Sequence, residues 1–207
     1  MAEIKLVNAG KSYGDHRIFE NLNIAFKEGK ITAVMGRSGL GKTTIIKILL
    51  GLTDFEGSLE GLEGLPGAVF QENRLMPWLS VKENIRLFLA TRVSAKSEQD
   101  RLISEALELV ELTDAADKKP ESLSGGMQRR AALARCIAAG GDFLILDEPF
   151  TGLDEALKDR IAGKLAACWK AEGQTVIFIT HDSSEAEKYA DEIINLQDLV
   201  STEEPRA

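Results

Sequence analysis

The sequence predicts an α/β fold: a parallel-sheet core that starts, is interrupted by a helical insertion, and resumes. Three observations carry that expectation. An apolar run, "KITAVMG", ends on glycine and leads through a short Gly-rich turn into the amphipathic segment "KTTIIKILLG". Two later runs, "FLILD" and "TVIFIT", are apolar almost throughout, as strands covered on both faces must be. Between them and the first run lies a long stretch of helical rather than alternating periodicity. That order describes one interrupted unit, not two sequential domains.

Taken in order, the first elements read as β. "EIKLVNA" and then "LNIAF", which alternates with period two, precede "KITAVMG". "KTTIIKILLG" reads as a helix with Gly51 placed to end it. "GSLEGLEGLPGAVFQ" is punctuated by glycine and predicts two short strands. The character changes after Gln71. "SVKENIRLFLA" opens with a capping box of Ser80 and Glu83. "SEQDRLISEALELVEL" places Leu102, Ile103, Ala106, Leu107 and Val110 at helical spacing. Residues 72–135 are therefore expected to be helical, set within a core of residues 1–71 and 136–200. "QDLVSTEEPRA" reads as a loose end, with 201–207 as its tail.

Composition narrows the function classes. The chain of 207 residues is 44% hydrophobic, an ordinary globular balance. No run approaches the roughly 18 apolar residues of a membrane span. "MAEIKLVNAG" has neither the charge nor the apolar core of a secretory signal, so the cytoplasm is the expected compartment. A net charge of −8 repels nucleic acid and anionic lipid, so neither is an expected direct partner. Cys136 and Cys168, far apart in helical patterns, are expected to be buried, reduced thiols.

The motifs carry chemistry. "GRSGLGKT" (Gly36, Arg37, Ser38, Gly39, Leu40, Gly41, Lys42, Thr43) has the G-x-x-x-x-G-K-S/T spacing, with Thr44 next. It follows an apolar strand and opens a helix, the context in which backbone N–H groups cradle phosphates and Lys42 neutralises the β and γ oxygens. Thr43 would ligate Mg²⁺, and Asp147, at the end of "FLILD", supplies the carboxylate such a cation needs. Glu148 follows and could orient a water toward a γ-phosphate. An Asp-Glu pair alone is as well read as a solvated strand end. A second phosphate surface is suggested by "LSGGMQRRAALARCIAAG", where Ser124 precedes Gly125 and Gly126 at the start of a helical pattern.

"GRSGLGKTT", "LSGGMQRR", "FLILDEP", "TGLD" and the His of "FITHD" occur in the order and spacing of ABC transporter ATPase subunits, which the chain resembles over about residues 3–196. The resemblance implies a P-loop NTPase fold, with a RecA-like core, an N-terminal antiparallel β-subdomain and an inserted helical subdomain. It implies two copies clasping two ATP molecules head to tail, Ser124, Gly125 and Gly126 of each completing the site on the other. Tyr13 matches the aromatic that stacks on adenine. Gln71 matches the glutamine that touches Mg²⁺ and the attacking water, and His181 the histidine at the γ-phosphate. Asp154 matches the loop that communicates across the dimer, and also reads as a helix N-cap.

Met127 stands where many members have Gln, and Thr151 and Gly152 where Ser and Ala are commoner, without removing a catalytic group. The segment between Gly51 and Gln71 is short, and no C-terminal regulatory domain is expected. The implied function is ATP hydrolysis driving transport through permease subunits at the inner face of the membrane. Exporter and non-transport cassettes are the alternatives. "VFQENRLMPWLSVKENI" resembles the matching segment of nitrate, sulfonate and taurine importers, implying a small anion as cargo and an extracytoplasmic binding protein as a further partner. Leu75, Met76 and Trp78 within it read equally as a permease contact or as core.

Overall fold

Alternation in the N-terminal region produces a hairpin. β1 (Ile4–Tyr13) and β2 (His16–Phe26) pair antiparallel in the computed structural model, which describes residues 3–200. Gly14, at φ +57°, makes the two-residue turn between them. β4 (Glu56–Glu60) pairs with the other edge of β1, giving the order β2-β1-β4.

β3 (Ile31–Met35), β5 (Pro66–Val69), β6 (Phe143–Asp147), β7 (Thr175–Ile179) and β8 (Glu192–Asn195) form a parallel sheet in the order β5-β6-β7-β3-β8. β6 and β7 are buried along their whole length, as their unbroken apolar runs predict. Their side chains split with period two between two cores. Phe143, Ile145, Ile177 and Ile179 join α1 (Lys42–Leu49) and the antiparallel sheet. Leu144, Leu146, Val176 and Phe178 face the helices of the other side. Each such side chain stabilises the fold by about 2 kcal/mol relative to exposure, so the ends of β3, β6 and β7 are a rigid platform.

The glycine-rich segment does contain two strands, but they divide between the sheets, β4 to the antiparallel and β5 to the parallel one. Gly51 follows the cap residue Leu50 at φ +65° and ends α1, the amides of Gly51 and Leu52 closing on the last turn.

The helical region begins later than its composition suggests. Residues 72–79 form a loop, pinned by the buried Asn84, whose amide donates to the carbonyls of Met76, Leu79 and Ser80 and accepts from Met76 N–H at 2.7 Å. α2 (Val81–Leu89) then starts at the Ser80–Glu83 capping box. α3 (Lys96–Leu109), two single-turn 3-10 helices and α4 (Gly125–Ala139) follow. α4 therefore runs past residue 135, because Cys136 and Ala138 continue its buried face.

α5 (Glu155–Glu172), α6 (Ser183–Tyr189) and α7 (Leu196–Leu199) complete the fold. α7 corrects the expectation of a loose end from Gln197: Leu196 and Val200 pack into the core beside α1 and β3. The expected tail, 201–207, lies outside the described residues. Cys136 is buried, its thiol pushed up to about 12 by burial, but Cys168 is only half-buried.

Candidate functional site

The loop from Gly36 to Gly41 joins β3 to α1 at the end of the buried sheet. Gly41 shows why glycine is required. Its φ is +91°, and a Cβ there would lie 2.5 Å from Ile18 Cγ2 and 2.9 Å from Phe19 Cδ1, so β2 presses directly on the turn. Lys42 folds back over the loop, its ammonium donating to the carbonyls of Gly36 at 2.7 Å and Arg37 at 2.9 Å. α1 has neither a side-chain cap nor an acidic residue in its first turn. Its positive end is thus directed at the loop without an internal anion.

At the end of β6, which β7 separates from β3 in the sheet, the acids diverge. Asp147 is 4% exposed and lines the same cavity as Thr43. Burial, and then the neighbouring Glu148 carboxylate, push its carboxyl above the usual range, against the pull of Arg129 and Lys42. Glu148 has left-handed backbone, φ +47°, with its N–H donating to Ile179 O at 3.0 Å. One carboxylate oxygen lies 3.1 Å from His181 Nδ1, and the other accepts from the Thr151 hydroxyl at 3.2 Å.

Ser38, Gly39, Gly41, Lys42, Thr43, Thr44, Gln71, Asp147 and Glu148 line one cavity of about 280 Å³. Tyr13 lines an adjoining cavity of about 380 Å³ that shares Thr43, Gln71 and Asp147. The structure thus gathers most of the sequence-predicted site. Gly36, Arg37, Leu40, His181, Ser124, Gly125, Gly126 and Asp154 line neither cavity, His181 joining the site only through Glu148. Ser124 caps α4, accepting from Met127 N–H at 3.3 Å. Asp154 caps α5, accepting from Leu157 N–H at 3.0 Å, so its N-cap role is present in this chain.

Two buried cations around the site escaped the sequence reading. Lys158 of α5 pairs with Asp182 at 2.8 Å, Glu155 at 3.0 Å and Glu185 at 3.3 Å, fixing the turn that carries His181. Lys158, and then Ser184, hold the Asp182 carboxyl well below the usual range. Arg129 of α4 reaches the backbone on both sides of the site. The signal for each was a basic residue within an otherwise ordinary helical pattern, which does not identify its acceptors.

Asp147 gives a first expected result. Its carboxyl is raised on folding, so the stability it supports at low pH is lost as pH rises through its folded value. Asp147→Asn removes that loss. The nucleotide-free variant is expected to melt a few degrees higher at neutral pH by calorimetry. An unchanged or lower midpoint would contradict the penalty on its charge.

Comparison with known proteins places this geometry. The sequence model of the family described as "ABC transporter" matches residues 19–151. The maltose/maltodextrin import ATP-binding protein MalK of Mannheimia succiniciproducens is 34% identical over 95% of this chain, which spans 56% of that relative's length. The nitrate import ATP-binding protein NrtD of Synechococcus elongatus is 36% identical over 87% of this chain and 70% of its own. Among solved structures, a dimeric post-hydrolysis state of the ATP-binding cassette MJ0796, bound to ADP and Pi, superposes with a TM-score of 0.87. It is 31% identical, and 99% of each chain is covered.

Proposed function

Because the chain belongs to the ABC transporter family, we propose that it is the ATP-hydrolysing subunit of an importer, working as a homodimer on permease subunits. The observation that carries this reading is the Asp147–Glu148 pair at the end of a buried strand, facing the phosphate loop and touching His181.

ATP would lay its phosphates on the loop amides and the α1 N-terminus, with adenine toward Tyr13. Lys42 would exchange the Gly36 and Arg37 carbonyls for β and γ oxygens, a stronger, charge-assisted pairing. The hydroxyl of Thr43, the carboxylate of Asp147 and the amide oxygen of Gln71 form an all-oxygen set suited to Mg²⁺. Asp147 fits that role because its buried charge is penalised until a cation offsets it. When bound, the ion supplies charge neutralisation at the phosphates.

Glu148 then orients a water and accepts its proton as the water oxygen bonds to the γ-phosphorus. The bond to the β–γ bridging oxygen breaks, releasing ADP and phosphate, and the proton passes on to phosphate. His181 holds Glu148 and faces the γ-phosphate, while Gln71 positions the water. Ser124, Gly125 and Gly126, outside their own chain's cavities, would close on the partner's ATP, with Asp154 at the contact. The dimeric cassette bound to ADP and Pi supports this arrangement.

The permease would dock at a groove of about 440 Å³ between residues 65–76 and helices α2 and α4, lined by Phe70, Met76, Phe88 and Cys136. Leu75 packs into the core, whereas Trp78 is 67% exposed near the start of α2, so the two take different roles. Among the described residues no helix is long and apolar enough to cross a membrane, so attachment at the cytoplasmic face would run through this groove. The helical subdomain (72–135) would thus join permease to the core (1–71 and 136–200). The nitrate-importing relative supports a small anion as cargo, delivered by an extracytoplasmic binding protein. Steady-state phosphate release from Mg²⁺–ATP tests the reading. Turnover with ADP and phosphate in equal amounts is expected, and ATP binding with no release would overturn it.

A further inference from the structure

We infer that Arg129 is a positioning residue. From the second turn of α4 it fixes the backbone around Glu148 and the Gln71 loop, and so couples the carboxylate at one ATP site to the glycine face that α4 offers the other. The inference rests on the ATPase reading above and adds a residue to it.

Arg129 is 4% exposed. Its Nε donates to Pro149 O at 3.2 Å, and its Nη2 to Glu148 O at 2.7 Å and to Asp147 O. Its Nη1 donates to Phe70 O, to Gln71 O at 3.3 Å and to Asn73 Oδ1 at 3.4 Å. Every acceptor is a carbonyl or amide oxygen, although Asp147 and Glu148 lie beside it. A guanidinium spent on neutral acceptors is poor economy for stability alone, since an apolar side chain of similar volume fills buried space without desolvating a charge. What the planar fork supplies is geometry: two segments held at once, at fixed spacing.

The held segment is the one that needs holding. Glu148 has left-handed backbone, a conformation that persists only where its surroundings impose it. Ile179 O restrains its N–H and Arg129 its carbonyl. Releasing the carbonyl lets the backbone relax and re-aims the carboxylate away from His181. On the other side, Arg135 donates from the same helix to Asn73 O at 3.0 Å and Arg74 O at 2.7 Å. Movement of α4 therefore carries the Gln71 loop with it. Ser124 caps that same helix, so closure of the glycine face on a partner's ATP is transmitted to Glu148 of its own chain.

Arg129→Lys and Arg129→Gln in the full chain test this. Lys keeps the charge but not the fork, and kcat is expected to fall about 10- to 100-fold, the cost of a misplaced catalytic group. KM and the Kd for ATP should stay within about twofold. In a Glu148→Gln background, the ATP-trapped dimer should persist in the Lys variant, which a folding defect would not allow. Amide hydrogen exchange in nucleotide-free protein should speed up at Glu148 and at residues 71–74 and nowhere else, a readout independent of turnover. Wild-type kcat in the Lys variant, or exchange unchanged at Glu148, overturns the inference. So does a kcat loss matched by equal losses in ATP affinity and melting temperature. Absent turnover in the wild type would instead overturn the ATPase reading, with the exchange measurement still deciding what Arg129 positions.

Discussion

Glu148→Gln is expected to lower phosphate release by at least about 100-fold while leaving ATP binding intact. The substitution keeps shape and nearly all local contacts. An amide oxygen can still accept from the Thr151 hydroxyl, and the backbone bonds to Ile179 and Arg129 do not involve the side chain. What is lost is a group able to take a proton from water. ATP then stays intact between two subunits, and gel filtration with Mg²⁺–ATP should show a dimer that the wild type forms only transiently. Its accumulation matters as much as the lost rate, because a misfolded variant would also hydrolyse slowly but would not assemble. Undiminished turnover would remove Glu148 from the chemistry.

The separate fates of Asp147 and Glu148 show what a sequence can and cannot disclose. Both follow the apolar run "FLIL", and that run was enough to place them at the end of a buried strand. The phosphate loop was equally legible, since a positive-φ turn pressed by β2 admits little but glycine. The Ser80–Glu83 capping box and the C-terminal Gly51 of α1 are local signals, and each appears where the pattern puts it. Contacts across the chain left no such trace. Asn84 pins a loop that composition alone renders as helix. β4 and β5 lie in one glycine-punctuated segment but join different sheets. Arg129 meets Phe70 from 59 residues away, and no periodicity encodes that meeting. The chemistry was readable because it is built from short strand-to-loop motifs. The supports that aim it were not, because they depend on how α4 and α5 pack over the sheet.

Whether the site is shared between subunits is decided by mixing two inactive variants. Lys42→Ala removes the cation over the phosphates, and its Kd for ATP is expected to rise on the order of 100-fold, the scale of a lost charge-assisted contact pair. Ser124→Arg leaves the loop whole but removes the cap of α4 and sets a bulky side chain over its glycine face, filling the space that a phosphate must enter. Each homodimer then has two damaged sites. In a heterodimer the damage falls unevenly if sites are composite: the intact loop of one subunit meets the intact glycine face of the other, and the second site takes both lesions. Random pairing makes half of the dimers mixed, each with one of its two sites restored, so about a quarter of the wild-type sites should return. If instead each subunit's Ser124 served its own loop, every site in the mixture would still carry one lesion and activity would stay at the level of the separate variants. Ser124 and Gly125 line neither cavity beside their own Lys42, which is the geometry that favours recovery. A mixture that dimerises yet stays inactive would mean that α4 presents its glycine face to something other than a twin's nucleotide.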